Sequence, residues 1–131
     1  MSVTVPIYTG NTAGNIRSSS SLGNGANATY DLDAYSSKFE IQINVTNTPG
    51  GTIAGTAGLR IEVFRRYGAT PTVAASPCLS FTLPSANTNT AEAKDFVLGP
   101  GKYRIKVTNL DATNAVTVEI TADTIDNLTT T

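Results

Sequence analysis

Apolar and polar residues alternate along much of this chain with the period of two that is typical of a β-strand. The clearest example spans residues 38–46. Its apolar side chains fall on one side and its polar side chains on the other: Phe39, Ile41, Ile43 and Val45 against Glu40, Gln42 and Asn44. Since such alternation places one face on a core and the other in solvent, it predicts a half-buried strand.

Further short segments carry the same pattern, and Gly, Pro and Asn clusters separate several of them as turns. The predicted strands are residues 3–8, 59–67, 79–83, 92–98, 102–108 and 115–122, and the predicted turns include Asn47–Gly51 and Asn109–Asn114. No stretch longer than about a dozen residues has an amphipathic helical pattern. The sequence therefore predicts an all-β fold, a single antiparallel β-sandwich of about 7–8 strands. Jelly-roll-like and immunoglobulin-like strand orders both remain open.

The beginning of the chain has a different character. Between Gly10 and Asn27 it is rich in Gly, Ser and Asn, and Ile16 and Leu22 are its two large aliphatic side chains. We interpret residues 1–27 as an extended N-terminal arm, either a flexible linker or a segment that orders on a neighbouring subunit. Pro6 suits a sheet edge because it cannot donate to a ladder. Residues 28–125 then form the sandwich domain, and residues 126–131 form a polar tail.

Composition supports the β prediction and excludes several functions. The chain has 21 Thr, 11 Asn and 11 Gly, a net charge of −1 and no histidine. Without histidine there is no imidazole metal site and no Ser/His or Cys/His pair. The nine basic residues are scattered, which argues against nucleic acid as a partner. Because Cys78 is the one cysteine, no internal disulfide can form.

The sequence predicts neither a membrane-spanning segment nor an export signal. No apolar run approaches the length of a transmembrane helix, about 18 residues. The N-terminus MSVTVPIYTG has no basic segment followed by a long apolar one, so we expect no secretory signal.

Candidate chemistry in the sequence is weak. Asp31 and Asp33 would point to the same side of an extended segment, a spacing that could share a hard cation such as calcium. No glycine-punctuated loop completes a ligand set, so we favour a solvated strand edge or turn. The glycines near the N-terminus do not form the GxxxxGK[ST] string of a phosphate-binding loop. We therefore expect a non-enzymatic protein without catalytic residues, cofactor or metal.

The string LGPGKYRIKVTN, residues 98–109, followed by NAVTVEITAD, resembles the closing hairpin of small β-sandwich modules in bacterial extracellular domains and bacteriophage virion proteins. With the small size and the N-terminal arm, the whole chain resembles the capsid decoration (cement) proteins of tailed phages. The resemblance implies a structural protein, made in the host cytoplasm, that binds the outer capsid surface and bridges coat subunits. Its partners would be the major capsid protein and itself, as a homotrimer, with neither nucleic acid nor membrane.

Two segments are candidate partner interfaces. In the arm, Val3, Val5, Ile7 and Tyr8 could add a strand to the sheet edge of a neighbour. In the predicted strand of residues 59–67, the contact residues would be Phe64, Arg65, Arg66 and Tyr67. An outward aromatic residue beside two arginines is typical of interfaces, although a loop of the same chain could also cover Phe64.

The alternative function is a carbohydrate-binding or adhesin module of a phage fibre or a bacterial surface protein. Sugar sites stack pyranose rings on exposed aromatic side chains, and this chain has no tryptophan. Tyr30 and Tyr35, which flank the Asp31–Asp33 pair, are the candidate stacking residues.

Overall fold

The computed structural model describes residues 4–6, 14–33, 40–50, 57–68, 70, 72–85 and 89–124. Within these ranges the chain forms ten strands and no helix. The strands are β1 (Thr4–Pro6), β2 (Gly14–Leu22), β3 (Asn27–Asp33), β4 (Ile41–Pro49), β5 (Leu59–Tyr67), β6 (Thr72–Val73), β7 (Leu79–Leu83), β8 (Glu92–Leu98), β9 (Lys102–Asn109) and β10 (Val116–Thr124).

The strands form two sheets packed face to face. A six-stranded sheet has the order β1-β3-β9-β5-β6, with β7 also paired to β5, and a four-stranded sheet has the order β2-β10-β4-β8. All the pairs are antiparallel except β1 with β3, which run parallel. This architecture confirms the predicted all-β sandwich.

The core lies between the two sheets and is built from the apolar positions of the alternating strands. In β4 the inward residues Ile41, Ile43 and Val45 are fully buried, as are Leu59, Ile61 and Val63 in β5. The residues between them remain partly exposed on the outer faces. At about 25 cal/mol per Å² of apolar surface removed from water, this double layer of branched side chains is the main source of stability.

The predicted N-terminal arm requires a correction, because its second half belongs to the sandwich. Gly14–Leu22 forms β2, which pairs along β10 and buries Ile16 and Leu22 in the core. These two aliphatic side chains and the β10 ladder are sufficient to hold a serine-rich segment in a sheet. Thr4–Pro6 forms β1 at the sheet edge, the position that Pro6 favours.

The turn predicted at Asn47–Gly51 begins too early, since β4 continues to Pro49. Asn47 is fully buried, and its amide Nδ2 donates to Pro84 O at 3.1 Å and to Ser85 Oγ at 2.7 Å. These bonds tie β4 of one sheet to the end of β7 in the other. A buried amide needs such partners, which explains why a turn-forming residue type occupies a strand here.

Candidate functional site

The outer face of the six-stranded sheet carries the largest group of charged side chains that the structure places together. Strands β3, β9 and β5 alternate between core residues and residues on this face. We call this surface the charged face. It consists of Thr29, Asp31, Arg60, Glu62, Phe64, Arg66, Lys102, Arg104, Lys106 and Thr108.

An arginine–carboxylate network fixes the centre of the charged face. Arg104 donates two hydrogen bonds to Asp31 from one edge of its guanidinium group, Nε to Oδ1 at 2.7 Å and Nη2 to Oδ2 at 3.1 Å. Arg66, two strands away from Asp31, places its Nε 3.7 Å from Oδ2. The hydrogen bond to Asp31 raises the pKa of Arg104, although partial burial acts in the opposite direction. A two-pronged pair of this kind sets both groups in one geometry.

A second pair lies further along β5. Arg60 Nε is 3.4 Å from Glu62 Oε1, a contact close enough for attraction but without hydrogen-bond geometry. Thr108, directly across the ladder from Arg60, buries a hydroxyl oxygen that likewise has no hydrogen-bond partner. The Arg60 side chain remains 42% exposed, so its terminal nitrogen atoms can reach solvent or a ligand. This end of the charged face has more polar atoms than the protein itself pairs.

Phe64 is the one aromatic side chain among the described residues of this face, and it is partly exposed. It lies opposite Arg104 on the neighbouring strand. Next along β9, Lys106 lies between Thr29 and Glu62. The face therefore combines an apolar ring with fixed donors and acceptors, the mixture that orients a polar ligand.

The outer face of the four-stranded sheet has a different chemistry. Its outward positions on β4 are Gln42, Asn44, Thr46 and Thr48, and the neighbouring strand β10 adds threonine together with Glu119 and Asp123. This surface is neutral to acidic. The two outer faces of the sandwich thus carry opposite electrostatic character.

The structure places the residues of the second predicted interface, residues 64–67, on two different surfaces. Because strand residues alternate between faces, Phe64 and Arg66 lie on the charged face, whereas Arg65 and Tyr67 have the inward register at the open end of the sandwich. Arg65 lies over the Tyr103 ring at 5.7 Å from its centroid, and Tyr67 is 59% exposed. The four residues do not form one continuous surface.

Other predicted residues are placed as follows. Val5 lies in β1, which pairs with β3 of the same chain, whereas Val3, Ile7 and Tyr8 lie outside the described residues. Tyr30 is not a stacking residue, because it is 8% exposed and its hydroxyl accepts a 2.6 Å hydrogen bond from Arg17 Nη1. Tyr35 is also outside the described ranges.

In the structure, Asp31 pairs with an arginine side chain. Its carboxylate is held by Arg104 in the geometry described above. In the described part of the chain, no three or more His, Cys, Asp or Glu side chains are grouped as metal ligands. A search of the same residues for a long apolar helix able to cross a membrane finds none.

Arg60, Arg104 and Lys106 were not among the site residues predicted from the sequence. A signal was present in KYRIK, residues 102–106, where each outward position of a predicted strand is basic. The strand was predicted from its apolar positions, while the polar positions received no separate interpretation. The role of these polar residues depends on which strands are neighbours in the sheet. The pattern of a single strand does not give that order.

Comparison with known proteins identifies a fold and no family. Neither a family model nor a curated protein sequence matches the chain. A solved structure of CBM22-1 and GH10 modules of a Clostridium thermocellum xylanase, complexed with xylohexaose, has a TM-score of 0.52 at 8% identity. That match covers 91% of this chain and 27% of the other. It shows a shared β-sandwich fold.

Two further solved structures are similar over nearly the whole chain. The periplasmic g-type lysozyme inhibitor of Aeromonas hydrophila matches at 20% identity and a TM-score of 0.49, covering 93% of this chain and 96% of the other. A family 35 carbohydrate-binding module from an environmental isolate matches at 20% identity and a TM-score of 0.47, with 98% and 86% covered. None of the three is described as a virion protein, and the predicted capsid role stays a prediction.

Proposed function

We propose that this protein is a non-catalytic carbohydrate-binding module and that the charged face is its binding surface. The observation that carries the proposal is the fixed network of Asp31, Arg104 and Arg66 beside the partly exposed ring of Phe64. It replaces the tyrosine-centred site of the carbohydrate hypothesis, since Tyr30 is buried.

The chemistry of a sugar fits such a surface. Pyranose rings have apolar C–H faces that pack on aromatic side chains, and their hydroxyl groups need donors and acceptors in fixed positions. Asp31 holds Arg104 in place before any ligand arrives, which lowers the ordering cost of binding. The partly exposed guanidinium group of Arg60 adds a further donor that ligand oxygen atoms could use.

The fold is compatible with this role. A β-sandwich similar at a TM-score of 0.52 occurs in the Clostridium thermocellum structure with xylohexaose bound. Because one fold hosts many functions, the proposal depends on the residues of the charged face and not on that likeness.

The test is the affinity of Phe64→Ala for a panel of soluble neutral and acidic plant polysaccharides, measured by affinity electrophoresis and calorimetry. We expect the intact protein to bind at least one of them and the substitution to weaken that binding about tenfold, the value of one aromatic contact. Tyr67→Ala is the matched control, since Tyr67 is exposed but outside the charged face.

Urea unfolding should show that both variants remain folded. Equal losses in Phe64→Ala and Tyr67→Ala would place the site elsewhere. An intact protein that binds no polysaccharide of the panel would refute the proposed function.

A further inference from the structure

We infer that the ligand of the charged face is an acidic polysaccharide, one that carries carboxylate or sulfate groups along its chain. This inference rests on the proposed function and adds the chemical class of the ligand. Three observations support it: the distribution of charge over the sandwich, the ion pairs within the charged face, and the lack of such a pair at Lys106 within the described residues.

Basic residues are concentrated on this one surface. The whole chain has nine basic and ten acidic residues, yet five of the nine basic residues lie on the charged face. They are Arg60, Arg66, Lys102, Arg104 and Lys106. In a protein with a net charge of −1, such a concentration does not follow from composition. It gives this face a positive potential that attracts anionic ligands.

Within the described residues, the ion pairs of the charged face leave Lys106 out. Asp31 contacts two arginines, Arg104 at 2.7 Å and Arg66 at 3.7 Å. Glu62 contacts Arg60 at 3.4 Å. Within the described residues, Lys106 has neither an ion pair nor a hydrogen bond to its side chain. A ligand carboxylate near Lys106 would therefore meet a positive charge that no ion pair within the described residues neutralises.

The arrangement favours a polysaccharide over a nucleic acid. Single-stranded nucleic acids bind to basic grooves that hold aromatic side chains for successive bases. The described charged face has one aromatic ring, Phe64, surrounded by mixed charges that include Asp31 and Glu62. These carboxylates can accept hydrogen bonds from the hydroxyl groups of a sugar, which the backbone of single-stranded DNA does not offer.

The experiment compares two polymers with the same sugar backbone, one that carries carboxylate groups and one in which hydroxymethyl groups replace them. Polygalacturonate and the same polymer after carboxyl reduction are titrated against the full chain by calorimetry, at low and at high salt. We expect tighter binding to the acidic polymer and a loss of that preference in high salt, because screening weakens exposed charge interactions.

Lys106→Gln identifies the surface involved. It should weaken binding to polygalacturonate about two- to fivefold while leaving binding to the reduced polymer unchanged. Lys94→Gln is the control, since it makes the same change in net charge at an exposed position on β8 of the other sheet. It should bind like the unmodified protein.

Each outcome bears on a different claim. Equal binding of both polymers would overturn the inference and leave the proposed function standing. Binding of neither polymer, nor of any other glycan, would overturn both. Equal losses in Lys106→Gln and Lys94→Gln, or equally tight binding of single-stranded DNA, would indicate a general attraction to anions and overturn the assignment of an acidic polysaccharide to this face.

Discussion

Tyr103 combines an almost fully buried ring with a hydroxyl group that donates to Gly99 O at 2.8 Å. Burial raises the pKa of this phenol above its ordinary value of 10.0, an effect that the nearby Arg65 opposes and Cys78 reinforces. The folded protein thus holds the phenolic proton more tightly than the unfolded chain. The resulting stabilisation is fully present below about pH 10 and is lost as the pH rises through the raised pKa.

Tyr103→Phe tests this coupling. We expect the substitution to lower the free energy of unfolding by about 1 kcal/mol at neutral pH, the value of one hydrogen bond. Above about pH 10 the difference from the unmodified protein should shrink, because the variant has no phenol to ionise. Urea unfolding at neutral pH and at pH 10–11 measures this difference in the free energy of unfolding, with Tyr67→Phe as an exposed control. A difference independent of pH would contradict the raised pKa.

At the residue scale, the sequence predicts the side of a strand on which a side chain lies better than it predicts the residue with which that side chain pairs. The alternation in β5 correctly placed Phe64 outward, since strand geometry alone fixes this property. It did not predict the pairing of Asp31 with Arg104, because those residues are distant in the chain and meet through the register of β3 on β9. Charge complementarity across a ladder appears only once the neighbours are known.

At the scale of the elements, Gly58 controls how β5 begins. Its φ is +91°, a conformation that side chains rarely adopt, and a Cβ atom there would lie 2.5 Å from Leu83 O on β7. Its carbonyl oxygen also accepts from Leu110 N at 3.0 Å. Glycine is thus required for β7 to approach the start of β5.

Gly58→Ala should therefore destabilise the protein strongly. We expect a loss of about 3 kcal/mol in the free energy of unfolding, from backbone strain together with the displacement of β7. Gly99→Ala is the control, since a Cβ there meets no atom within 4 Å. Chemical denaturation compares the two. Similar midpoints would show that β7 is free to move away.

The elements that the sequence predicted well are those with several alternating aliphatic residues, such as β5 and β7, whose bounds match the prediction. β2 was not predicted, because its serine-rich sequence has two large aliphatic residues and its register on β10 shifts near Ile120. Part of the stability of β2 comes from its neighbour. An edge strand of this kind leaves little signal in its own sequence.

At the scale of the whole molecule, the division of the N-terminal region at residue 14 predicts a contrast between two truncations. Deleting residues 2–13 removes β1, which contributes three residues at a sheet edge. Deleting residues 2–25 also removes β2 with Ile16 and Leu22. Burial of those two side chains contributes about 3–6 kcal/mol, comparable with the whole stability of a small domain, about 5–15 kcal/mol.

We therefore expect the shorter truncation to unfold cooperatively and the longer one to lose its cooperative thermal transition, as measured by calorimetry. A folded protein after deletion of residues 2–25 would show that β2 is dispensable. It would also restore the prediction of an arm separate from the domain.

The pairing of β2 with β10 has a consequence for biosynthesis. Arg17 donates to Val118 O, a partner 101 residues later in the sequence, so the four-stranded sheet cannot close until almost the whole chain has left the ribosome. At a synthesis rate of about 5–20 residues per second, β2 waits unpaired for roughly 5–20 s on the nascent chain. A hydrophobic edge strand would be prone to aggregate during that interval. The serine-rich composition, because of which β2 was not predicted from the sequence, therefore protects the strand from aggregation until its partner emerges.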